Sequence, residues 1–205
     1  MSDVDWEKMG GLVPAVVQDA GTLQVLMLGY MNPEALKVTR ETKRVTFWSR
    51  SRGELWTKGE TSGNGLDVVD VQVDCDGDAL LVRAVPQGPA CHLGTVSCFG
   101  DEGADGVGFL GALERVIAGR DGCDAEASYT ARLLARPVHK VAQKVGEEGV
   151  EVALAAVSEG DAELAGEAAD LLYHLLVVLR KRGVELEEVM EVLRGRHGDG
   201  GEGKR

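Results

Sequence analysis

The sequence predicts an α+β protein in two parts, a β-rich first half followed by an all-α second half. Three observations carry this. Up to Phe99 the apolar residues mostly alternate, as along half-buried strands. From Phe109 onward they recur every three or four positions, as along helices. Between the two lies FGDEGADGVG, Phe99 to Gly108, which is glycine-rich, acidic and without periodicity, and reads as a linker. Residues 1–102 are assigned to the first domain, 103–108 to the linker, 109–197 to the second domain, and 198–205, GDGGEGKR, to a disordered tail.

In order along the chain, LVPAVVQDAGTLQVLML reads as two strands joined at Asp19-Ala20-Gly21. Asn32-Pro33 opens a helix, with Asn as N-cap and Pro at the first helical position. RVTFWSRSRGELWTKGE alternates and turns at Arg52-Gly53, a hairpin, and LDVVDVQVDCDGDALLVRAV supplies one or two more strands. In the second half Phe109, Leu110, Leu113, Val116 and Ile117 form one stripe, and a short helix follows near Ser128 to Leu134. Val138, Val141, Val145 and Val152 mark a long third helix. Leu164, Leu171, Leu172, Leu175 and Leu179 mark a fourth, started near Asp161 and stopped by Lys181-Arg182-Gly183. Leu186, Val189, Met190 and Leu193 lie on a last helix, and the five together read as a small bundle.

Composition narrows the function. A formal charge of −12 argues against nucleic-acid binding, which shows a basic footprint, and suits sites for divalent cations. The first residues carry no basic region followed by an apolar run and do not read as a signal peptide. The longest apolar stretch, Leu171 to Leu179, is interrupted by Tyr173-His174 and is too short to cross a bilayer. A cytoplasmic protein without membrane contact is expected. Its four cysteines are then thiols or metal ligands rather than disulfides.

Within VDCDGDALLVRAV, a strand would place Asp74, Asp76 and Asp78 on one face and Cys75 on the other. Three carboxylates on one face repel unless a cation sits among them; the bland alternative is a charged edge strand resisting aggregation. An EF-hand is excluded, since Ala79 stands where Gly is needed and Val85 where Glu is needed. GPACHLGTVSCF places Cys91, His92 and Cys98 together, with Cys75 as a third thiol in this half. Three soft ligands leave a fourth zinc position open, as in catalytic sites, and thiols from two subunits would fit such a centre. Inert buried thiols are the alternative, and Cys123 is read that way. In FWSRSRGELWTKGETSGN, Arg50, Arg52 and Lys58 can hold a phosphate, hydroxyls such as Thr61 and Ser62 can assist, and Trp48 or Trp56 can flank a base. A solvated hairpin with packed tryptophans is the alternative. No P-loop motif is present.

VVQDA, VLMLGYMNPEAL, TFWSRSRGELWTKGETSGN, VDCDGDALLV and GPACHLGTVSCF together resemble the successive motifs of phosphoribosyl-AMP cyclohydrolase, over roughly Leu12 to Phe99. The resemblance implies a homodimer whose zinc, one per site, is held by Cys75, Cys91 and Cys98, with Cys75 donated across the subunit interface. It implies Mg2+ on Asp74, Asp76 and Asp78, and zinc-dependent opening of an adenine ring between N1 and C6. Arg50, Arg52, Trp56, Lys58, Thr61 and Ser62 are the candidate substrate-binding residues. His92 is a candidate proton shuttle, with support of the metal ligands as its alternative role.

On the third helix Lys140, Lys144, Glu147, Glu148 and Glu151 fall near one stripe, and on the fourth Glu167, Asp170 and His174 do so. A salt-bridged solvated face is the common reading of such stripes. Yet Glu167 and Asp170 interrupt an apolar helix, and carboxylates on two facing antiparallel helices make an oxygen cage for Mg2+ and a polyphosphate. KVGEEGVEVALAA and GEAADLLYHLLVVL resemble phosphoribosyl-ATP pyrophosphatase, a member of the helical MazG-like nucleotide pyrophosphatases, over about Phe109 to Arg194. The resemblance implies that Glu148, Glu151, Glu167 and Asp170 bind Mg2+, that Glu147 assists or activates water, and that Lys140 and Lys144 bind phosphates. The implied product of this half is the substrate of the first half, two consecutive steps of histidine biosynthesis. A house-cleaning nucleotide pyrophosphatase fused to a zinc-stabilised module, or a metal-stabilised protein without catalysis, are the rival readings.

Overall fold

A computed structural model of the chain describes residues 4–100 and 103–197. The expected tail, 198–205, lies outside the described residues. The chain divides into two compact units, Met1–Ala112 and Leu113–Arg205.

The first unit is built on a four-stranded sheet in the order β2-β1-β6-β5. β1 (Val13–Asp19) pairs antiparallel with β2 (Val25–Met31) and parallel with β6 (Leu80–Pro86), and β6 pairs antiparallel with β5 (Leu66–Val73). Strict alternation in β1 buries Val13, Ala15, Val17 and Asp19 on one face. α1 (Pro33–Thr42) begins as its sequence dictates: Asn32 Oδ1 accepts the Ala35 N–H at 2.7 Å and Pro33 takes the first position. β3 (Thr46–Ser49) and β4 (Glu54–Thr57) form a separate hairpin, with Gly53 at φ +68° in its turn. Phe47 of β3 lies so close to β2 that a Cβ at Gly29 would come within 2.3 Å of its ring, so this position needs glycine. Leu26, Met31, Leu36, Val45, Leu66 and Val82 complete the core.

Two expectations are corrected here. The segment Asp74–Ala79 is not strand: β5 stops at Val73 and β6 starts at Leu80. Asp74 Oδ1 accepts the N–H groups of Asp78 (2.9 Å) and Ala79 (3.1 Å), while Gly77 adopts φ +78°. A carboxylate that satisfies backbone donors locally favours a turn over a ladder, so Cys75 and the aspartates do not occupy opposite faces of one strand. The predicted stripe on α2 (Gly108–Ala118) is only partly inward: Ile117 is buried, whereas Phe109 and Val116 are exposed. Gly108 and Gly111 lie against the β1–β2 turn, where a Cβ at either would come within 2.2 Å of Thr22 O or Gly21 O. That contact fixes the rotation of the helix start and leaves Phe109 outside.

The regular elements described after α2 are all helices. α3 (Tyr129–Ala135) is capped by Ser128, whose hydroxyl accepts the Ala131 N–H. α4 (Val138–Ser158) and α5 (Asp161–Arg182) are joined by two residues and form an antiparallel hairpin, with Glu148 of α4 beside His174 of α5. α5 ends at Gly183 (φ +67°), whose N–H reaches the Arg180 and Leu179 carbonyls. α6 (Leu186–His197) buries none of its side chains. Val141, Ala155, Leu176 and Val177 are buried within the helical unit. Among the described residues no helix is long and apolar enough to cross a membrane.

Candidate active sites

Among the described residues, two groups of carboxylates bring ligand atoms within 4.8 Å of one another: Asp74, Asp76 and Asp78 in the first unit, and Glu148, Glu151 and Glu167 in the second. The first group is made by the β5–β6 turn. Its charge is met by Lys8, whose Nζ donates to Asp76 Oδ2 and lies 2.7 Å from Asp78 Oδ2.

The thiols of the first unit are only partly gathered. Cys91 is buried; its thiol accepts the Leu93 N–H at 3.5 Å, and this contact, with help from Thr95, holds it below the usual thiol range. Cys98 follows a tight loop anchored on β2, where Ser97 Oγ donates to Val25 O at 2.7 Å and Cys98 N–H to Leu26 O at 2.8 Å. Burial and the neighbouring Cys91 push the Cys98 thiol up. His92 is exposed, its Nδ1 3.9 Å from Cys91 Sγ. Cys75 is exposed in the acidic turn and does not join Cys91 and Cys98 in one group within a chain.

The substrate-binding candidates of this half are spread around the β3–β4 hairpin. Arg50 lies over the Tyr30 ring at 3.8 Å, and Arg52 pairs with Glu54 at 3.3 Å. Trp56 stacks on Phe47 with ring centroids 5.8 Å apart, which ties it to the core. Lys58 is buried and donates to Asn64 O at 3.1 Å. Thr61 and Ser62 are exposed, and Ser62 Oγ accepts the Asn64 N–H.

In the helical unit, spacing alone aligns Lys144, Glu147, Glu148 and Glu151 along α4. Lys144 Nζ lies 2.9 Å from Glu147 Oε2 and 3.3 Å from Glu148 Oε1. The ammonium holds the Glu147 carboxyl below its ordinary range. Glu151 moves the other way: its hydrogen bond with Glu148, desolvation, and the charges of Glu148 and Glu167 push it up. Glu148 is buried with His174, whose Nδ1 is 3.6 Å from Glu148 Oε1 and 2.9 Å from Asp170 O, while Nε2 faces Tyr129 Oη at 3.2 Å. Donation from Nδ1 to the Asp170 carbonyl leaves Nε2 to accept from the tyrosine. Asp170 is exposed and stands outside the three-glutamate group. Lys140 and Lys144 line a cavity of about 410 Å3 with Arg136, Gln143 and Glu147.

The sequence matches the family model of phosphoribosyl-AMP cyclohydrolase over residues 27–100 and that of phosphoribosyl-ATP pyrophosphohydrolase over residues 110–197. A histidine biosynthesis bifunctional protein HisIE of Photobacterium profundum is 57% identical over 203 residues, covering 96% of this chain and 98% of the relative. The proteins of the same name from Xanthomonas campestris and Escherichia coli K12 are each 56% identical. They cover 95% of this chain and, respectively, 93% and 96% of their own lengths. The chain belongs to the bifunctional histidine-biosynthesis family. It is a multifunctional hydrolase with a cyclohydrolase half and a pyrophosphohydrolase half.

Three residues that matter to these sites were not among the sequence candidates. Lys8 is 68 residues from Asp76, so no local spacing points to it. Tyr129 meets His174 from another helix. Arg136 enters the lysine-lined cavity from the α3–α4 junction, where only its proximity to Lys140 was a signal.

Proposed function

We propose that the two hydrolyses run at two separate centres within the chain. The helical half converts phosphoribosyl-ATP to phosphoribosyl-AMP and pyrophosphate, and the β-rich half opens the adenine ring between N1 and C6. The observation that carries this reading is that each compact unit gathers its own carboxylate group. The domain division is residues 1–102 and 109–197, joined by 103–108.

In the pyrophosphohydrolase half, Glu148, Glu151, Glu167 and, one turn along α5, Asp170 are the residues to hold Mg2+. Glu148, Glu151 and Glu167 fit, being hard oxygens gathered from two facing helices; Asp170 lies outside that group. Lys140 and Lys144 bind the phosphates from the cavity they line. Glu147 assists or activates a water; the Lys144 ammonium 2.9 Å away keeps it an acceptor that can orient the water, while making it a weaker base. In the cyclohydrolase half, Cys91 and Cys98 are the residues to hold zinc with Cys75 of a second subunit, and the lowered Cys91 thiol suits a thiolate ligand. Asp74, Asp76 and Asp78 would hold Mg2+. When bound, zinc acidifies a water toward neutral pH and Mg2+ adds positive charge for phosphate oxygens. His92, exposed beside Cys91, carries a proton to or from the reacting ring. Arg50, Arg52, Trp56, Lys58, Thr61 and Ser62 bind the rest of the substrate.

A homodimer is part of this reading. Leu93 and Phe99, 78% and 70% exposed, flank the thiol loop. Val150, Leu154 and Val157 leave an apolar stripe on α4 that a second subunit would cover. A cytoplasmic enzyme acting on small nucleotides completes this reading.

The test supplies phosphoribosyl-ATP to the intact protein and follows pyrophosphate and the ring-opened product separately. Phosphoribosyl-AMP added directly should be opened without pyrophosphate release. A protein that opens the ring only while it is releasing pyrophosphate would replace the two-centre reading with a single composite site.

A further inference from the structure

The acidic turn of the cyclohydrolase half already contains a cation, and it belongs to the protein. Lys8 sits in the segment before β1. Its ammonium reaches the Oδ2 atoms of both Asp76 and Asp78, two of the three carboxylates that converge there. This placement is built rather than incidental. Asp5 N–H donates to Gly77 O at 2.7 Å, which ties the segment to the turn itself. Lys8 N–H donates to Asp5 Oδ1 at 3.0 Å, and Val4 and Trp6 pack against the core on either side. Gly10 and Gly11, at φ +63° and +86°, complete the bend into β1.

An ammonium and a divalent ion need the same oxygen lone pairs, and two cations between the same carboxylates repel. We infer that Lys8 is an internal competitor for the acidic turn, so that a divalent cation binds there only when the Lys8 side chain leaves Asp76 and Asp78. The inference rests on the reading that this turn holds a cation. It adds that the chain's own N-terminal segment offsets part of the turn's charge and holds its shape, and that ion entry is an exchange. The displaced contact to Asp76 is a solvent-exposed ion pair and that to Asp78 is half-buried, and pairs this open to solvent are individually weak. The competition should therefore tune affinity rather than block the site. Removing Lys8 should tighten binding by about three- to tenfold, the factor by which the ion-accessible fraction rises.

Equilibrium dialysis of the intact chain with Mn2+ as probe measures this directly. The binding lost in Asp76→Asn/Asp78→Asn is counted as this site. Lys8→Gln should bind Mn2+ at that site about three- to tenfold more tightly than the wild type, and Lys8→Arg should behave like the wild type. Exchange has a second readout. Saturating Mg2+ should speed tryptic cleavage after Lys8 in the wild type and not in Asp76→Asn/Asp78→Asn. Equal or weaker binding by Lys8→Gln would overturn the inference, as would cleavage after Lys8 that ignores Mg2+. If even Lys8→Gln shows no Mn2+ binding that depends on Asp76 and Asp78, the cation reading of the turn itself fails.

Discussion

The two carboxylate groups found among the described residues meet their lysines in opposite ways. Glu148 and Glu147 are met by Lys144, which lies one helical turn away on the same helix. Asp76 and Asp78 are met by Lys8, which reaches them across 68 and 70 positions of chain. The α4 part of the helical group is a direct consequence of the 3.6-residue repeat: once α4 forms, Lys144, Glu147, Glu148 and Glu151 must lie near one face, and only Glu167 comes from α5. The turn group depends on where β5 ends, on Gly77 and on the path of the N-terminal segment. The helical group also keeps an internal conflict, because Glu151 is pushed up by its own neighbours. One centre is thus prepared largely by local geometry, while the other is assembled by distant contacts, and each meets a lysine at two carboxylates.

Variants that separate the two halves should have the largest effects. Glu151→Gln should lower pyrophosphate release from phosphoribosyl-ATP by at least roughly 100-fold, since losing even an outer partner of a metal ligand can cost that much. Opening of phosphoribosyl-AMP should stay near the wild-type rate. Equal loss of both reactions would end the two-centre comparison. Cys91→Ser should act the other way, abolishing ring opening and lowering bound zinc by metal analysis while pyrophosphate release continues. Freshly purified, active protein with only trace zinc would defeat that assignment.

A smaller effect follows from Glu151. Its carboxyl is raised in the folded chain, so the folded state holds a proton that the unfolded state has released. Without metal, stability should fall as the pH climbs from about 4.5 into the raised range. Mg2+ removes the repulsion, so the gain in Tm on adding Mg2+ should grow with pH across that window. In Glu151→Gln this growth should be largely absent; a gain that stays independent of pH in the wild type would show that Glu151 is not part of the ion's site. The smallest effect concerns what holds Glu148 in place. Tyr129→Phe removes the hydroxyl that faces His174 Nε2 and should cost about 1 kcal/mol in chemical denaturation. No loss of stability would mean that the hydroxyl does not secure His174.

Much of this could be read before any coordinates. Asn32-Pro33 opened a helix, Arg52-Gly53 turned a hairpin, and Gly183 ended α5, because each acts through hydrogen bonds within a few residues. The alternating aspartates from Asp74 to Asp78 misled, because a two-residue charge repeat mimics a strand. Gly77, with its positive φ, was the sign of a turn. Phe109 fits the helical period but not the burial, since contacts of Gly108 and Gly111 with the β1–β2 turn set the rotation of the start of α2.

By itself the sequence determined the β-rich and all-α halves, most of their elements apart from the Asp74–Ala79 turn, and the α4 stripe that carries Lys144, Glu147, Glu148 and Glu151. Tertiary structure alone decided that Glu167 would stand within 4.8 Å of Glu148 and Glu151, that His174 would be buried against Glu148 and Tyr129, and that Lys8 would reach the acidic turn. The reason is one of range. Periodicity and caps are settled by neighbours along the chain, whereas these meetings depend on how packed elements are rotated and where their connections end.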